Sequence, residues 1–441
     1  MLRFFIVLLC LQGVLMSNSV EYINVKNVDI PMIYEEQKML PIVFMQIVFV
    51  GGGSINDGKK EGLARFTSKV LNEGTSKMQS SLFAKELEEK AITLNVHSDT
   101  EMLVFELSSL KENIDFGALR LRELLVDPNL HDHTFEKVRI QTLGTILSKQ
   151  SDFDYVASSK LKELMFENTP LGTSALGTEE SINAITKDDV RGFLSSYVNL
   201  QNAIVVIGGD ISKKEAFKLA EETLAKGQLI VAKLKTGKKV KLPHFEASNT
   251  QKSVTQIKDT EQAYVYFGAP LHLKVNDGDL YKLKVAGFIL GDAGFGSRLM
   301  EEIRVKRGLA YSAYAKFNVG NSSSYMSGYL QTKNENKDEA KKLVKEVIEK
   351  FVKNGVHEDE LLQAKKFLLG SEPLRLETLS QRLSRSFSEF YSGREIGHTQ
   401  KELKQIEELS LEELNSFIVS HDEITKLIFS IVTNEDNRSK R

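Results

Sequence analysis

Residues Glu61-Gly62-Leu63-Ala64-Arg65-Phe66-Thr67-Ser68-Lys69-Val70-Leu71-Asn72-Glu73-Gly74-Thr75 follow an apolar, strand-like run at 41–50 and the turn Gly51-Gly52-Gly53. The apolar positions from Leu63 to Leu71 recur at helical spacing. Residues four apart share one face of a helix. Arg65 and Lys69 therefore stand side by side on one face, next to Ser68.

Outward from this helix the elements alternate in type. The run 103–110 alternates like a strand, and 113–125 and 134–149 have helical periodicity. A second series opens with a strand at 263–267. It continues with a helix at 281–290, strands near 310–319 and 324–332, and helices at 337–353 and 358–369. Asp189-Val190-Arg191-Gly192-Phe193-Leu194 ends a helix before the apolar strand 203–207. Glu413-Leu414-Asn415-Ser416-Phe417-Ile418 precedes 427–431 in the same way. Phe193 to Ile204 and Phe417 to Ile428 have equal separations. Asn129-Leu130-His131-Asp132 and Asn354-Gly355-Val356-His357-Glu358 form a second pair of helix entries. The offset is about 225 residues both times, which implies an internal duplication. The expected fold class is α+β: two homologous domains, each a mostly antiparallel sheet with helices packed on one face.

The second series carries a longer pattern. Leu290-Gly291-Asp292-Ala293-Gly294-Phe295-Gly296-Ser297-Arg298-Leu299 runs on to Glu302-Ile303-Arg304-Val305-Lys306-Arg307-Gly308-Leu309-Ala310-Tyr311-Ser312. Glycines in the 291–296 loop allow close backbone approach. No Gly-Lys-Ser/Thr follows, so the loop lacks the phosphate-binding pattern.

Both stretches resemble the insulinase/pitrilysin family of zinc peptidases. In that family Gly-Leu-Ala leads into His-x-x-Glu-His, and the helix closes with Gly-Thr. Here the frame stands at Gly62-Leu63-Ala64 and Gly74-Thr75, but the resemblance puts Arg65 and Lys69 at the two histidine positions and Ser68 at the glutamate. Histidines four apart can share one zinc, and the glutamate takes a proton from zinc-bound water. Arginine offers no lone pair and serine is no general base. Two cations would face the dication, each unit-charge pair at about 4 Å costing roughly 4 kcal/mol at an effective dielectric near 20. The family's third ligand is a glutamate on a helix roughly 75 residues downstream. The matching helix, 134–149, has no Asp or Glu from 138 onward. The resemblance thus implies no metal and no cofactor in this chain.

The same resemblance assigns Arg304 and Tyr311 as a substrate-binding pair that reaches toward a peptide held at the zinc. An arginine fork can hold a carbonyl or oxyanion, and a tyrosine hydroxyl can donate to the same intermediate. Outside the resemblance, Arg304 reads as a solvated helix residue and Tyr311 as a core strand residue. Some family members split the work between two chains. The implied role here is the non-catalytic, substrate-binding subunit of a heterodimeric zinc metallopeptidase, inactive alone. Its partner would be a homologous active subunit carrying the zinc, and its substrate a peptide or unfolded protein. The alternative is a non-proteolytic structural or peptide-binding scaffold; a third reading is an autonomous peptidase with an unrecognised site.

Bulk properties bound these readings. The chain has 441 residues with 41% hydrophobic and 27% charged, an ordinary globular balance. A formal net charge of −2 supplies no field for nucleic acid or an anionic membrane. Residues 1–19, with Arg3 before an apolar run and small polar residues at Ser17 to Ser19, read as a signal peptide; an uncleaved anchor is the alternative. No other run is long enough to span a bilayer, and export to a periplasm is the expected localisation. Cys10 in that segment is the only cysteine, so thiolate catalysis is excluded from the remainder. The expected division is 20–232 for the first domain, 233–250 for a lysine-rich, solvated linker, and 251–441 for the second. His131-Asp132-His133 reads as a solvated turn with Asp132 as a helix cap. No Gly-x-Ser-x-Gly elbow is present.

Overall fold

The structure is a computed structural model that describes residues 20–226, 238–294 and 296–434. The expected signal segment, residues 233–237 of the expected linker and Phe295 lie outside them. Two sheets organise the described chain. The first contains β1 (Val20–Val25), β2 (Val28–Glu36), β3 (Ile42–Val50), β4 (Thr93–Ser98), β5 (Met102–Leu110) and β6 (Ala203–Gly209), in the order β1-β2-β6-β3-β5-β4. The second contains β7 (Lys252–Ile257), β8 (Gln262–Pro270), β9 (Ala310–Val319), β10 (Ser324–Lys333) and β11 (Ile428–Thr433), in the order β7-β11-β8-β10-β9.

The two orders are one order. β2 runs parallel to β6 as β7 does to β11, and every later pairing is antiparallel in both sheets. The first sheet adds only the β1 hairpin strand. The duplicated helix entries also match. Lys187–Tyr197 and Leu411–Ser420 each precede the central strand β6 or β11, and each starts on a capping box, Thr186 with Asp189 and Ser410 with Glu413. The α+β class and the two similar halves are as the sequence implies.

Both faces of each sheet are covered, by different halves of the chain. In the first sheet Val43, Met45, Ile47 and Phe49 alternate toward a core shared with helices of their own half, among them Leu63–Leu71 and Ile114–Val126. The opposite face presents Ile33, Val48, Val104, Ile204 and Val206. These pack on the Leu379–Tyr391 helix, which belongs to the second half. In exchange, the first half sends its Phe153–Met165 helix across to the second sheet, where Leu161 and Met165 pack with Ile428 and Tyr266. Glycines seat both exchanged helices. A Cβ at Gly208 would lie 3.0 Å from Leu383 Cδ1, and one at Gly268 would lie 2.4 Å from Met165 Sδ. Strands apolar on both sides need such double cover.

Further contacts tie the halves. Glu101, in the turn between β4 and β5, accepts from Ser322 N at 2.9 Å and from Tyr391 Oη at 2.5 Å. Arg382 Nε donates to Glu35 at 2.6 Å. The described part of the expected linker, 238–250, keeps its lysines exposed but is docked along its length. Val240 N donates to Asn202, Phe245 N to Ser322 O, and Ser248 N to Met165 O.

Two details depart from the sequence reading. The helix expected at 281–290 ends as a π-helical turn, Phe288–Asp292, which carries Gly291 against β9; a Cβ there would lie 2.4 Å from Ala315 N. Asp132 is no cap. The helix Asp132–Gln150 begins on it, and His131 holds the cap position without a capping bond. The Asp132 carboxylate is drawn instead to Lys187, which holds its pKa below the usual carboxylate range.

Candidate functional site

The Leu63–Leu71 helix starts on Gly62, whose φ of 87° lies in the left-handed region. Its Cα side faces backbone: an added Cβ would sit 2.8 Å from both Gly177 N and Leu176 O, so only glycine fits. Asp57 fixes this helix start, its carboxylate accepting from Gly62 N and Ala64 N at 2.8 Å each. The side chain is buried, and desolvation pushes its pKa up to about 7 despite those two donors. Phe66 packs edge-on against Phe135 at 5.0 Å, which clamps the helix to Asp132–Gln150.

This packing brings together the positions that matter. Lys69 Nζ donates to Thr142 Oγ1 at 3.2 Å, and Thr142 is buried on the facing helix, 73 residues further along. Thr142 is the residue the sequence reading missed. It faces Lys69 from the helix on which the resemblance places the family's third ligand. Ser68 is buried and its Oγ donates to Arg65 O at 2.9 Å. Burial first, and then the charge of Arg65, lowers the pKa of Lys69. Zinc does not fit this arrangement. The two motif positions hold a guanidinium and an ammonium already donating to a threonine hydroxyl, and the base position is a serine spent on its own helix. Among the described residues no group of three or more His, Cys, Asp or Glu side chains is placed to hold a metal.

The other pair does come together. Arg304 lies in the π-helical turn Glu301–Val305, and its guanidinium carbon sits 4.6 Å from the centroid of the Tyr311 ring. Stacking of this kind uses the ring face and leaves the guanidinium edge in the plane of its donors. Tyr311 is not a core strand residue: it is 82% exposed. A β-bulge explains this. β9 pairs Ala313 with Leu330 and Ala310 with Thr332, so three steps on β9 oppose two on β10. The extra residue falls at 311–312 and turns Tyr311 out of the alternation that buries Ala310 and Ala313. Among the described residues β9 is also the edge of its sheet, with one side of its ladder unpaired. Arg298, earlier in the same motif, is structural: it makes a bidentate pair with Glu360 at 2.7 and 2.6 Å.

Residues 43–179 match the family described as insulinase (peptidase family M16), and residues 184–368 match the peptidase M16 inactive domain. The chain is 44% identical over 421 residues to a Helicobacter pylori protein described as "Non-peptidase homolog YmxG", covering 96% of each chain. The chain belongs to the M16 peptidase family. It is 24% identical to an uncharacterized zinc protease of Bacillus subtilis over 77% of this chain and 80% of that one. Among solved structures, a peptidase M16 inactive domain from Pseudomonas fluorescens superposes with a TM-score of 0.85 at 22% identity, covering 95% of this chain and 98% of that one. A protease from Helicobacter pylori superposes at 0.81 and 17% identity, covering 94% and 100%. This is a non-catalytic M16 protein.

Proposed function

We propose that this M16 chain is the substrate-holding subunit of a two-chain zinc peptidase. The observation that carries the reading is the stacked Arg304–Tyr311 pair, held out at a bulge on an open edge strand while the metal positions of the same chain are occupied by cations and hydroxyls. A homologous active subunit supplies the zinc and the general base. An extended peptide or unfolded segment lies between the two chains and pairs with a sheet edge. Arg304 and Tyr311 hold its carbonyl groups, and the developing oxyanion, with donors already in place. No cofactor is assigned to this chain. Residues 1–19 direct export, and the periplasm is the proposed site of action.

The test is reconstitution with the active partner. Arg304→Ala combined with Tyr311→Ala is expected to cut peptide hydrolysis by about 100-fold or more, since losing one oxyanion donor alone costs about that much. The chain without a partner is expected to hydrolyse nothing. Wild-type rates from the double variant would refute the clamp, and chelator-sensitive turnover by this chain alone would refute the whole reading.

A further inference from the structure

A cavity of about 400 Å³ lies in the second half, among the helices Leu280–Gly287, Leu379–Tyr391 and His398–Glu408 and the strand β9. Its volume falls in the range of small-molecule sites. Val275, Phe317, Val319, Leu368 and Leu403 line it, and each is only half-buried. Half-buried apolar side chains around one recess are surface that the chain itself leaves uncovered, and covering them is favourable.

Charged groups line the same cavity. Its three carboxylates are already met. Glu402 is buried, pairs with Lys284 and with Arg394 at 3.0 Å, and stands 3.4 Å from His398. Glu372 pairs with Arg385. Glu389, also buried, accepts from Gly397 N at 2.7 Å, Thr399 N at 2.8 Å and Thr399 Oγ1 at 2.6 Å. Lys284, Arg385 and Arg394 are thereby spent. Arg375 also lines the cavity, is exposed, and has no ion pair among the described residues. The wall thus combines an apolar lining with an uncompensated guanidinium. A cationic head would meet that guanidinium and find every carboxylate engaged. A small hydrophilic anion would leave the apolar lining wet. An occupant with one alkyl chain and one terminal anion meets both demands, its chain on the apolar side chains and its anion on Arg375.

We propose that this cavity binds a single-chain alkyl carboxylate, such as dodecanoate, with Arg375 as its charge contact. The free acid suits it better than a membrane lipid: the volume is at the small end for ligand sites, and takes one chain. The site needs no partner subunit, and Arg304 and Tyr311 do not line it.

The test uses the chain from residue 20 onward, which contains both sheets and the whole cavity. Isothermal titration with dodecanoate, below its micelle concentration, is expected to show saturable binding at a single site. Octanoate is expected to bind at least about tenfold more weakly, since each buried methylene is worth up to about fourfold in affinity. Dodecyltrimethylammonium has the same chain and the opposite charge, and is also expected to bind at least about tenfold more weakly. Arg375→Glu is expected to weaken dodecanoate about fivefold or more, and Arg375→Lys by less. Arg375 is exposed, so the fold is expected to survive, and the thermal midpoint checks it. Leu403→Gln is expected to narrow the gap between dodecanoate and octanoate. Equal binding of those two acids, or of dodecanoate and dodecyltrimethylammonium, would overturn the proposal. So would undiminished binding of dodecanoate by both Arg375→Glu and Leu403→Gln. Binding to phosphatidylglycerol vesicles that Arg375→Glu abolishes, with no binding of free dodecanoate, would assign the site to membrane lipid and overturn the free-acid reading.

Discussion

The Lys69 ammonium donates to the Thr142 hydroxyl at 3.2 Å, bridging the two helices that in M16 peptidases face each other across a metal. Restoring only the two motif histidines should therefore fail. Arg65→His with Lys69→His leaves two ligands and a threonine, short of the three protein ligands that a catalytic zinc needs. Adding Thr142→Glu sets a carboxylate opposite position 69, on helices already packed through Phe66 and Phe135. The triple variant is expected to bind zinc at least about 100-fold more tightly than the double, measured by chelator competition. Equal affinities would show that Thr142 is not the third position.

Asp57 gives the fold a pH dependence with a definite sign. Burial raises its pKa from an ordinary 3.8 to about 7 in the folded chain. The folded state thus holds the proton more tightly than the unfolded one. The resulting stability is fully present below about pH 4 and is lost as pH rises toward 7, by up to about 4 kcal/mol at 1.36 kcal/mol per unit. An asparagine side chain at this position cannot titrate. The wild-type midpoint minus that of Asp57→Asn, measured by urea unfolding at several pH values, is expected to fall steadily from pH 4 to pH 7 and then level. A constant difference would mean that the helix-terminus donors hold the carboxylate ionised throughout.

Glu101 joins the halves through one carboxylate, with Ser322 N on one oxygen and Tyr391 Oη on the other. Burial, and after it the Glu101 charge, raises the pKa of the Tyr391 phenol. Glu101→Ala is expected to cost about 1.5–3 kcal/mol, because a hydrogen bond to a charged group is lost and buried donors are left open. It should also lower the phenol's pKa, visible in its ultraviolet titration. In a double-mutant cycle with Tyr391→Phe the two changes should couple by about 0.5–3 kcal/mol. Additive effects would place the bond outside the folded-state balance.

Much of the fold was legible because the decisive residues act locally. Gly62 and Gly74 frame a short apolar-faced helix, and β3 and β5 are long apolar runs. β4 and β7 were not legible: β4 buries only Val96 and β7 alternates between half-buried and exposed, so neither shows a hydrophobic run. The outward turn of Tyr311 depends on a register shift against Leu330 and Thr332, a relation between strands that no single strand's pattern contains. Thr142 was missed because a neutral residue in a helix carries no signal of its own; only its distance along the chain from Lys69 could have marked it. The exchange of helices was hidden for a similar reason. The apolar stripe of Leu379–Tyr391 says that it must be covered, not by which sheet.

That exchange predicts how the protein unfolds. Leu383 is buried on the second half's helix yet packs with Ile33 and Val206 of the first sheet, above Gly208. Met165 makes the reciprocal contact, from the first half onto β8 and β11. Neither half can leave without uncovering an apolar face of the other, so chemical denaturation is expected to show one transition rather than two, despite the internal duplication. Leu383→Ala should cost about 2–5 kcal/mol through the cavity it leaves. Because the loss falls on the shared unit, it should move the single transition to lower denaturant without splitting it. Two resolved transitions, with Leu383→Ala shifting only one, would show that the halves fold independently and that the exchanged helices contribute little to holding them together.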